Sequence, residues 1–560
     1  MTSVIAAPAS ERPPVPPGAP TRPPRYRDRL RRRGVPRPLL LGALVATVAV
    51  VLPLGFLVAQ AVQVGWGTLD PLLFRSLTAQ LLWNTVSLTV VVTILCAVIG
   101  TLLAWFIERT KLPGRRYWAV LVVIPLGIPD FVVSFGWRAI FPAFSGFWAA
   151  VLVMTLAVYP LVFLPVAASL RNADPAQEEV ARSLGLGRVA TFCRVTLGQA
   201  RLAVLGGAVL VGLVVLAEFG AFEILGYNTL TTEIFTEFTV GRNQAAACAF
   251  SVILVVLGAI ILFGEGAARG HGRAARLGAG AARRQRPRPL GRSMPAVLGG
   301  VGLLVGLALG VPVGSVVYLI VHGGTSTLPP ASLLDAAGHT FTYAAGAGLI
   351  ATIAALPIAL LSVRFPRREV RLLERSNMLI LAVPGLVIAL SATYFTEHLL
   401  AGYLYQTPIL LVLVYAVMFF PMAVVSVRAA VARSPVGLEE VGHSLGVSRS
   451  TVFWRVTLPL IGPGLVAAFC LVFLESAIEL TATLVLIPTG VQTLATQFWA
   501  YQTDLSYSQA APYAGVIMLI AAIPSYVLGR WFDRLPARTS IVQAPGAHGA
   551  GLAPGTMVNL

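Results

Sequence analysis

The sequence predicts an all-α polytopic membrane protein with about 12 transmembrane helices in two parallel six-helix repeats. Three observations predict this fold. The chain of 560 residues is 57% hydrophobic and only 11% charged, whereas soluble domains are about a quarter charged. Its apolar residues are gathered into runs of membrane-spanning length, and a segment of the first half recurs in the second half.

The apolar runs predict the individual spans. A helix needs about 20 residues to cross the hydrocarbon core, and in lipid its backbone must satisfy its own polar groups. Continuous apolar stretches, as opposed to alternating ones, favour helices over barrel strands. The predicted spans are residues 39–62, 81–107, 118–137, 139–170, 202–225, 243–264, 293–321, 340–363, 376–396, 399–427, 456–474 and 505–529.

An internal repeat divides the chain into two halves. Residues 178–198 and 439–459 are identical at 12 of 21 positions. The register extends in both directions, so that Arg109 corresponds to Arg364 and Glu218 to Glu479. Because each half contains six predicted spans, an even number, both halves have the same orientation. The predicted domains are a disordered basic tail (1–38), the first half (39–264), an Arg-rich linker (265–292), the second half (293–535) and a C-terminal tail (536–560).

Basic residues predict the orientation in the membrane. The N-terminal tail and the mid-chain linker each carry a net charge of +7, out of +18 for the whole chain. Positively charged loops remain in the cytoplasm, so both termini and the linker are predicted inside. We interpret this charge as topology and contact with lipid headgroups. Nucleic-acid binding is not expected, because no base-reading module accompanies the basic stretches.

The repeated element lies in the longest cytoplasmic loop of each half and contains a predicted short helix. Apolar residues recur in it at i and i+4, as Val180 and Leu184 in the first copy and Val441 and Leu445 in the second. Such a helix can dock into the groove of a partner. Two copies favour a partner with two-fold symmetry, although the helix could also only cover its own bundle.

These residues resemble a known family. The Glu-Ala-Ala…Gly loop of ATP-binding-cassette importer permeases is similar to Glu179-Val180-Ala181 with Gly185, and to Glu440-Val441-Gly442 with Gly446. In that family the loop is the coupling helix that seats in the ATPase subunit. The resemblance implies a multi-pass protein of the bacterial plasma membrane, with a cassette ATPase dimer on the cytoplasmic side and an extracytoplasmic solute-binding protein. The coupling residues that it implies are Glu179, Ala181, Gly185, Glu440, Gly442 and Gly446.

No enzymatic site is predicted in this chain. Its single lysine, Lys111, lies outside any phosphate-binding GxxxxGK[ST] loop, so ATP hydrolysis is expected on a separate chain. The six histidines are dispersed, and the four cysteines lack the spacing of a metal site or a disulfide framework. We therefore expect a transport subunit without catalytic residues, cofactor or bound metal.

The cargo is predicted less directly. Fusion of two permease halves into one chain resembles ferric-iron and thiamine importers, and the sequence around Glu218 and Glu479 resembles the ferric permeases. A carboxylate within a span usually faces a cavity, so these two residues are predicted to line a cation path. They could instead anchor a loop at the outer interface. Thiamine or another small solute remains an alternative cargo, and a twelve-span secondary transporter an alternative class.

Overall fold

The computed structural model describes residues 36–173, 175–268, 289–323, 330–365, 367–399 and 402–534. Within them every regular element is a helix, which confirms the predicted all-α membrane fold. The predicted tail 1–38 and linker 265–292 lie mostly outside the described residues. The C-terminal tail 536–560 lies entirely outside them.

The first half contains five straight spans and one bent one. Its first two spans are joined by the short helix Trp66–Leu73. The loop with the repeated element, which is predicted to couple to an ATPase, holds the helix Pro175–Ser183. Two short helices, Gly220–Ile224 and Leu230–Thr239, follow the fifth span. The six spans are Arg37–Val64, Ser76–Arg109, the bent pair Arg115–Gly127 and Asp130–Ile140, Phe147–Arg171, Phe192–Ala217 and Gln244–Gly264.

The second half repeats this order. Its coupling loop holds the helix Val436–Ser444, and the helices Thr481–Leu486 and Leu494–Thr503 follow its fifth span. Its first five spans are Gly291–His322, Ala331–Arg364, the bent pair Arg368–Ala382 and Gly385–His398, the bent pair Pro408–Met418 and Phe420–Arg433, and Arg449–Ala477. The helix Tyr507–Arg534 occupies the place of the sixth.

Three predicted spans are bent instead of continuous. The third span bends by 93° in the first half and by 106° in the second. A proline lies at each break, Pro129 and Pro384, and proline cannot donate the backbone bond that would continue the helix. Eight straight helices and three bent pairs thus match eleven of the twelve predicted spans. The twelfth, 505–529, falls on Tyr507–Arg534, whose side chains are described only to residue 522.

The fifth span is displaced from its predicted limits. Residues 202–225 were expected, but the helix runs from Phe192 to Ala217. It begins earlier because a π turn, Phe192–Thr196, leads into it. It ends earlier because Glu218 adopts an extended conformation, with φ −70° and ψ 136°.

The chain forms two compact units, and each unit draws residues from both sequence halves. The first unit comprises Met1–Pro53, Ala345–Ile380 and Tyr415–Phe473. Within it, Asn377 Nδ2 donates to Thr47 Oγ1 at 2.9 Å. A Cβ at Gly42 would lie 3.1 Å from Pro357 Cγ. The first span of the first half therefore packs against the second half.

The second unit comprises Leu54–Ala344, Leu381–Val414 and Leu474–Leu560. Within it, the third span of the first half packs against the first span of the second half. Gly136 is so close to that span that an added Cβ would lie 2.8 Å from Pro312 Cα and 2.7 Å from Ser315 Oγ. In each unit, therefore, elements of the two sequence halves pack against each other.

The repeat extends to individual hydrogen bonds of the second unit. The helices Leu230–Thr239 and Leu494–Thr503 both begin with a capping box of two threonines. The first backbone N–H of each donates to a threonine of the second span of its own half. These bonds are Leu230 N to Thr85 Oγ1 at 3.0 Å and Leu494 N to Thr340 Oγ1 at 2.9 Å. The same sequence register thus gives the same local structure twice.

Candidate functional site

The first coupling helix, Pro175–Ser183, ends in a glycine turn. Gly185 has φ +86°, in the left-handed region. Its N–H donates to Arg182 O at 2.9 Å, and Leu186 N donates to Ala181 O at 3.1 Å. This pair of bonds is a Schellman motif, in which glycine avoids the Cβ penalty of the left-handed conformation. The predicted turn at Gly185 is therefore present.

The second coupling helix, Val436–Ser444, ends in the same way. Gly446 has φ +78° and donates its N–H to His443 O at 3.1 Å. Val447 N donates to Gly442 O at 3.1 Å. The two copies lie in different compact units, so their agreement comes from their own sequences.

The apolar residues of each coupling helix point outward. Val180 is 55% and Leu184 77% exposed, and their counterparts Val441 and Leu445 are 56% and 75% exposed. Exposed apolar surface outside the spans marks a site of contact with another molecule. These four residues therefore leave an apolar surface exposed in a polar loop, where a partner could contact it.

Small residues make up the inner side of each helix. Ala181 is buried. At Gly442 an added Cβ would lie 2.9 Å from Val452 Cγ2, so a larger residue would require Val452 to move. The predicted coupling residues Glu179 and Glu440 are exposed beside the apolar pair. Acidic and apolar side chains are thus presented together.

Sequence reasoning missed the preceding glutamate of each copy. Glu178 and Glu439 turn inward and pair with arginines at the ends of the second spans, Arg109 and Arg364. A signal was available in the sequence, because Arg109 and Arg364 are equivalent in the repeat. The pairing itself required the fold.

The other two predicted residues, Glu218 and Glu479, lie just beyond the fifth spans. Each caps the short helix that follows: Glu218 Oε1 accepts from Ala221 N at 2.7 Å, and Glu479 Oε1 from Ala482 N at 3.0 Å. Their positions are at a helix break and not inside a continuous helix. The repeat equivalence of the two carboxylates therefore extends to their capping bonds.

Two further carboxylates join them. Glu218 lies within electrostatic range of Asp130 and Glu479, and Glu475 within range of Glu479 and Asp130. We call these four residues the acidic cluster. The repeat does not predict the additional two, because Gly385 and Val214 occupy the equivalent positions. None of the four forms an ion pair with a base in the described part of the chain.

The halves meet beside the acidic cluster. A Cβ at Gly220 would lie 2.8 Å from Leu480 Cδ2, which brings the residues after Glu218 and Glu479 into contact. The Phe219 and Trp499 rings are 5.5 Å apart. Over the described residues, however, no group of three or more His, Cys, Asp or Glu side chains is arranged to hold a metal ion.

A family model for the binding-protein-dependent transport system inner membrane component matches residues 97–267 and 347–538, more than half of the chain. The chain belongs to this family. Each match lies almost entirely in one repeat half and contains one copy of the repeated loop helix. The permease is therefore a transport subunit of an ATP-binding-cassette importer, as the Glu-Ala-Ala…Gly resemblance implies. A secondary transporter is excluded.

Named relatives cover the permease to different extents. The Fe(3+)-transport system permease protein FbpB 2 of Haemophilus influenzae is 36% identical over 483 residues, which are 86% of this chain and 95% of the relative. A probable molybdenum ABC transporter permease protein of Haloferax volcanii is 30% identical over 193 residues, 32% of this chain and 72% of the relative. The sulfate transport system permease protein CysT of Escherichia coli is 27% identical over 240 residues, 39% of this chain and 87% of the relative.

Membership in a membrane family also explains most of the exposed apolar surface. Leu41 and Val45 of the first span are 65% and 62% exposed, and Ile353 of a second span is 58% exposed. Within a span such residues lie against lipid tails. Leu184 and Leu445 are different, because they belong to polar loops outside the spans.

Proposed function

We propose that this permease imports ferric iron across the bacterial plasma membrane, driven by a separate cassette ATPase and supplied by an extracytoplasmic binding protein. The similarity to the Fe(3+)-transport permease over 86% of the chain carries this proposal. The acidic cluster supports it independently, because a cation is the cargo that four carboxylates attract.

The coupling helices are the proposed seats of the ATPase. Each presents an exposed apolar pair beside an exposed glutamate, Glu179 or Glu440. An amphipathic helix of this kind fits a groove in a partner. Because one chain carries two such helices, it has one seat for each subunit of an ATPase dimer.

The acidic cluster is the proposed outer part of the cation path. Carboxylates within or at the ends of membrane spans are costly and usually face a cavity or the bundle interior. Hard cations such as Fe³⁺ bind oxygen ligands. A transport path must release its cargo, so a tight binding site is not expected there. Among the described residues, the carboxylates lie near each other without forming a group that could hold a metal ion.

The acidic cluster favours a cationic cargo over an anionic one. Sulfate and molybdate are anions, which a group of acidic side chains does not attract, because like charges in a medium of low dielectric interact strongly. The relatives named for those anions also match less than half of this chain. A cationic solute such as thiamine is the remaining alternative, which the uptake experiment below separates from iron.

The cytoplasmic orientation of both termini is part of the same proposal. The coupling helices must face the cytoplasm, where ATP is available. The short basic segment at the start of the third span of the first half contains Lys111, Arg115 and Arg116, and it would then also lie on the cytoplasmic side. An ATPase on the coupling side and a binding protein on the opposite side fit this arrangement.

Uptake by the reconstituted complex tests the cargo. We expect proteoliposomes that contain the permease and its ATPase, with the binding protein added, to accumulate labelled ferric iron only with ATP. Excess thiamine, sulfate or molybdate should not compete. Uptake of labelled thiamine in place of iron would show that the cargo assignment is wrong while the importer assignment stands.

A further inference from the structure

In the first half, a buried ion pair joins three elements. Arg109, the last residue of the second span, lies 3.7 Å from Glu178 of the coupling helix (Nη2 to Oε1). Both side chains are nearly inaccessible, at 7% and 4% exposure. Glu178 Oε1 also accepts a hydrogen bond from Thr196 Oγ1 at 2.9 Å. Thr196 is the last residue of the π turn that begins the fifth span.

The second half contains the same set of partners, with Arg364 9% and Glu439 21% exposed. Arg364 Nη2 lies 2.7 Å from Glu439 Oε1, and Thr457 Oγ1 donates to the same oxygen at 3.2 Å. Thr457 ends the π turn Phe453–Thr457. Arg364 additionally donates to Ser434 O at 3.5 Å, at the end of the fourth span. This copy has the shorter ion pair and an additional partner.

Stability alone is a poor explanation for these pairs. Removing two charges from water costs as much as their attraction returns, so apolar residues of similar volume are often equally stable or more so. A buried ion pair does, however, hold its two elements in one register. The ion pair occurs at the same point of both halves, which indicates that the coupling helix must be held in a fixed position relative to the second span.

The fifth span connects the position of each ion pair to the acidic cluster. A π turn interrupts the regular helical hydrogen-bond ladder and often lies at a functional site. From the first π turn, the helix Leu197–Ala217 continues for 21 residues, about 31 Å at 1.5 Å per residue. Glu218 of the acidic cluster follows at once. The threonine that contacts the coupling helix is thus at one end of a helix whose other end is the proposed path.

We infer that each Arg–Glu–Thr triad, Arg109–Glu178–Thr196 and Arg364–Glu439–Thr457, is a clamp that transmits displacement of the coupling helix to the second and fifth spans. Its members are positioning residues that contact neither cargo nor ATP. The inference rests on the proposed function for the role of the coupling helix. ATPase seating depends on the exposed face, whereas transmission depends on the buried clamp.

Label mobility tests the clamp in the permease alone. A spin label at Ser183→Cys or Ser444→Cys, in a background without other cysteines, reports motion of each coupling helix in proteoliposomes. We expect Glu178→Gln and Glu439→Gln to add a mobile component to the spectrum of their own helix. The charge-reversed pair Arg364→Glu with Glu439→Arg should remove it. An unchanged spectrum in both Gln variants would overturn the clamp.

The assembled importer tests transmission. We expect Glu439→Gln to retain ATPase binding and ATP hydrolysis while cargo transported per ATP falls about three- to thirtyfold, the range for residues that carry coupling between sites. The charge-reversed pair should recover it. Glu178→Gln should have a smaller effect, because its ion pair is longer. Unchanged transport per ATP in Glu439→Gln would contradict the inference.

A matched control and a separate docking variant keep the two proposals distinct. Glu374 pairs with Arg428, whose side chain is 46% exposed, so Glu374→Gln removes an ion pair in the same half without touching the coupling helix. Glu374→Gln should leave transport per ATP unchanged. A loss equal to that of Glu439→Gln would show that the effect is not specific to the clamp. Leu445→Ser should instead reduce ATPase binding. Normal ATPase binding in that variant would refute the docking role of the coupling helix. The label experiment would still test the clamp, because it uses the permease alone.

Discussion

Replacing both Gly185 and Gly446 with valine is expected to abolish ATPase binding while leaving the permease in the membrane. Both glycines have positive φ, +86° and +78°, where an L-residue costs about 1–2 kcal/mol. The strain would unwind the Schellman turns and shift Leu184 and Leu445, which directly precede them. The amount of ATPase that copurifies with the double variant should fall at least about tenfold, as a loss of 1.4 kcal/mol already gives that factor.

Gly187→Val provides the control for side-chain size. Gly187 lies two residues beyond Gly185, has no positive φ, and an added Cβ there meets no atom within 4 Å. The same is true of the space at Gly185 and Gly446, so the variants differ in backbone strain alone. Normal copurification of the double variant would show that these turns do not position the ATPase seat.

The second large effect is expected from Glu218→Gln combined with Glu479→Gln. Glutamine retains the side-chain oxygen that accepts from Ala221 N or Ala482 N, so the capping bonds survive and only the charge is lost. Removing two of four carboxylates should lower cation uptake more than either single change, by about a hundredfold if each contributes about 1.4 kcal/mol. Initial rates of iron uptake at matched expression measure it.

Glu223→Gln is the matched control for the path. Glu223 lies in the short helix Gly220–Ile224 that Glu218 caps, but its side chain is exposed. Its loss should change uptake little, and ATPase binding should be intact in all of these variants. If the double variant transports normally, the carboxylates act as helix caps and the cargo proposal rests on the ferric relative alone.

Much of the fold could be predicted because the membrane imposes long apolar runs. The repeat then supplied the six-plus-six order and the equivalences Arg109 with Arg364 and Glu218 with Glu479. The bends could not be read from hydropathy, because the segments on both sides of Pro129 and Pro384 are mostly apolar whether or not the helix continues. Only packing against neighbouring helices determines how far such a break turns.

The site was predictable where local sequence determines local structure. Gly185 and Gly446 form the predicted turns, because a Schellman motif depends on a few adjacent residues. The inward turn of Glu178 and Glu439 was missed, since adjacent glutamates look alike in sequence and only the long-range partner distinguishes them. Asp130 and Glu475 could be considered for a similar role from the sequence, but only the fold places them near Glu218 and Glu479. Each comes from a different half, and no repeat partner marks it.

Native mass spectrometry of the purified complex tests most directly whether one chain carries two ATPase seats. We predict one permease chain with two ATPase subunits in the wild type. Gly446→Val should yield a species with one bound ATPase, since the seat at Gly185 remains intact. A wild-type complex that holds a single ATPase per permease chain, or none, would contradict the coupling role of the two repeated helices.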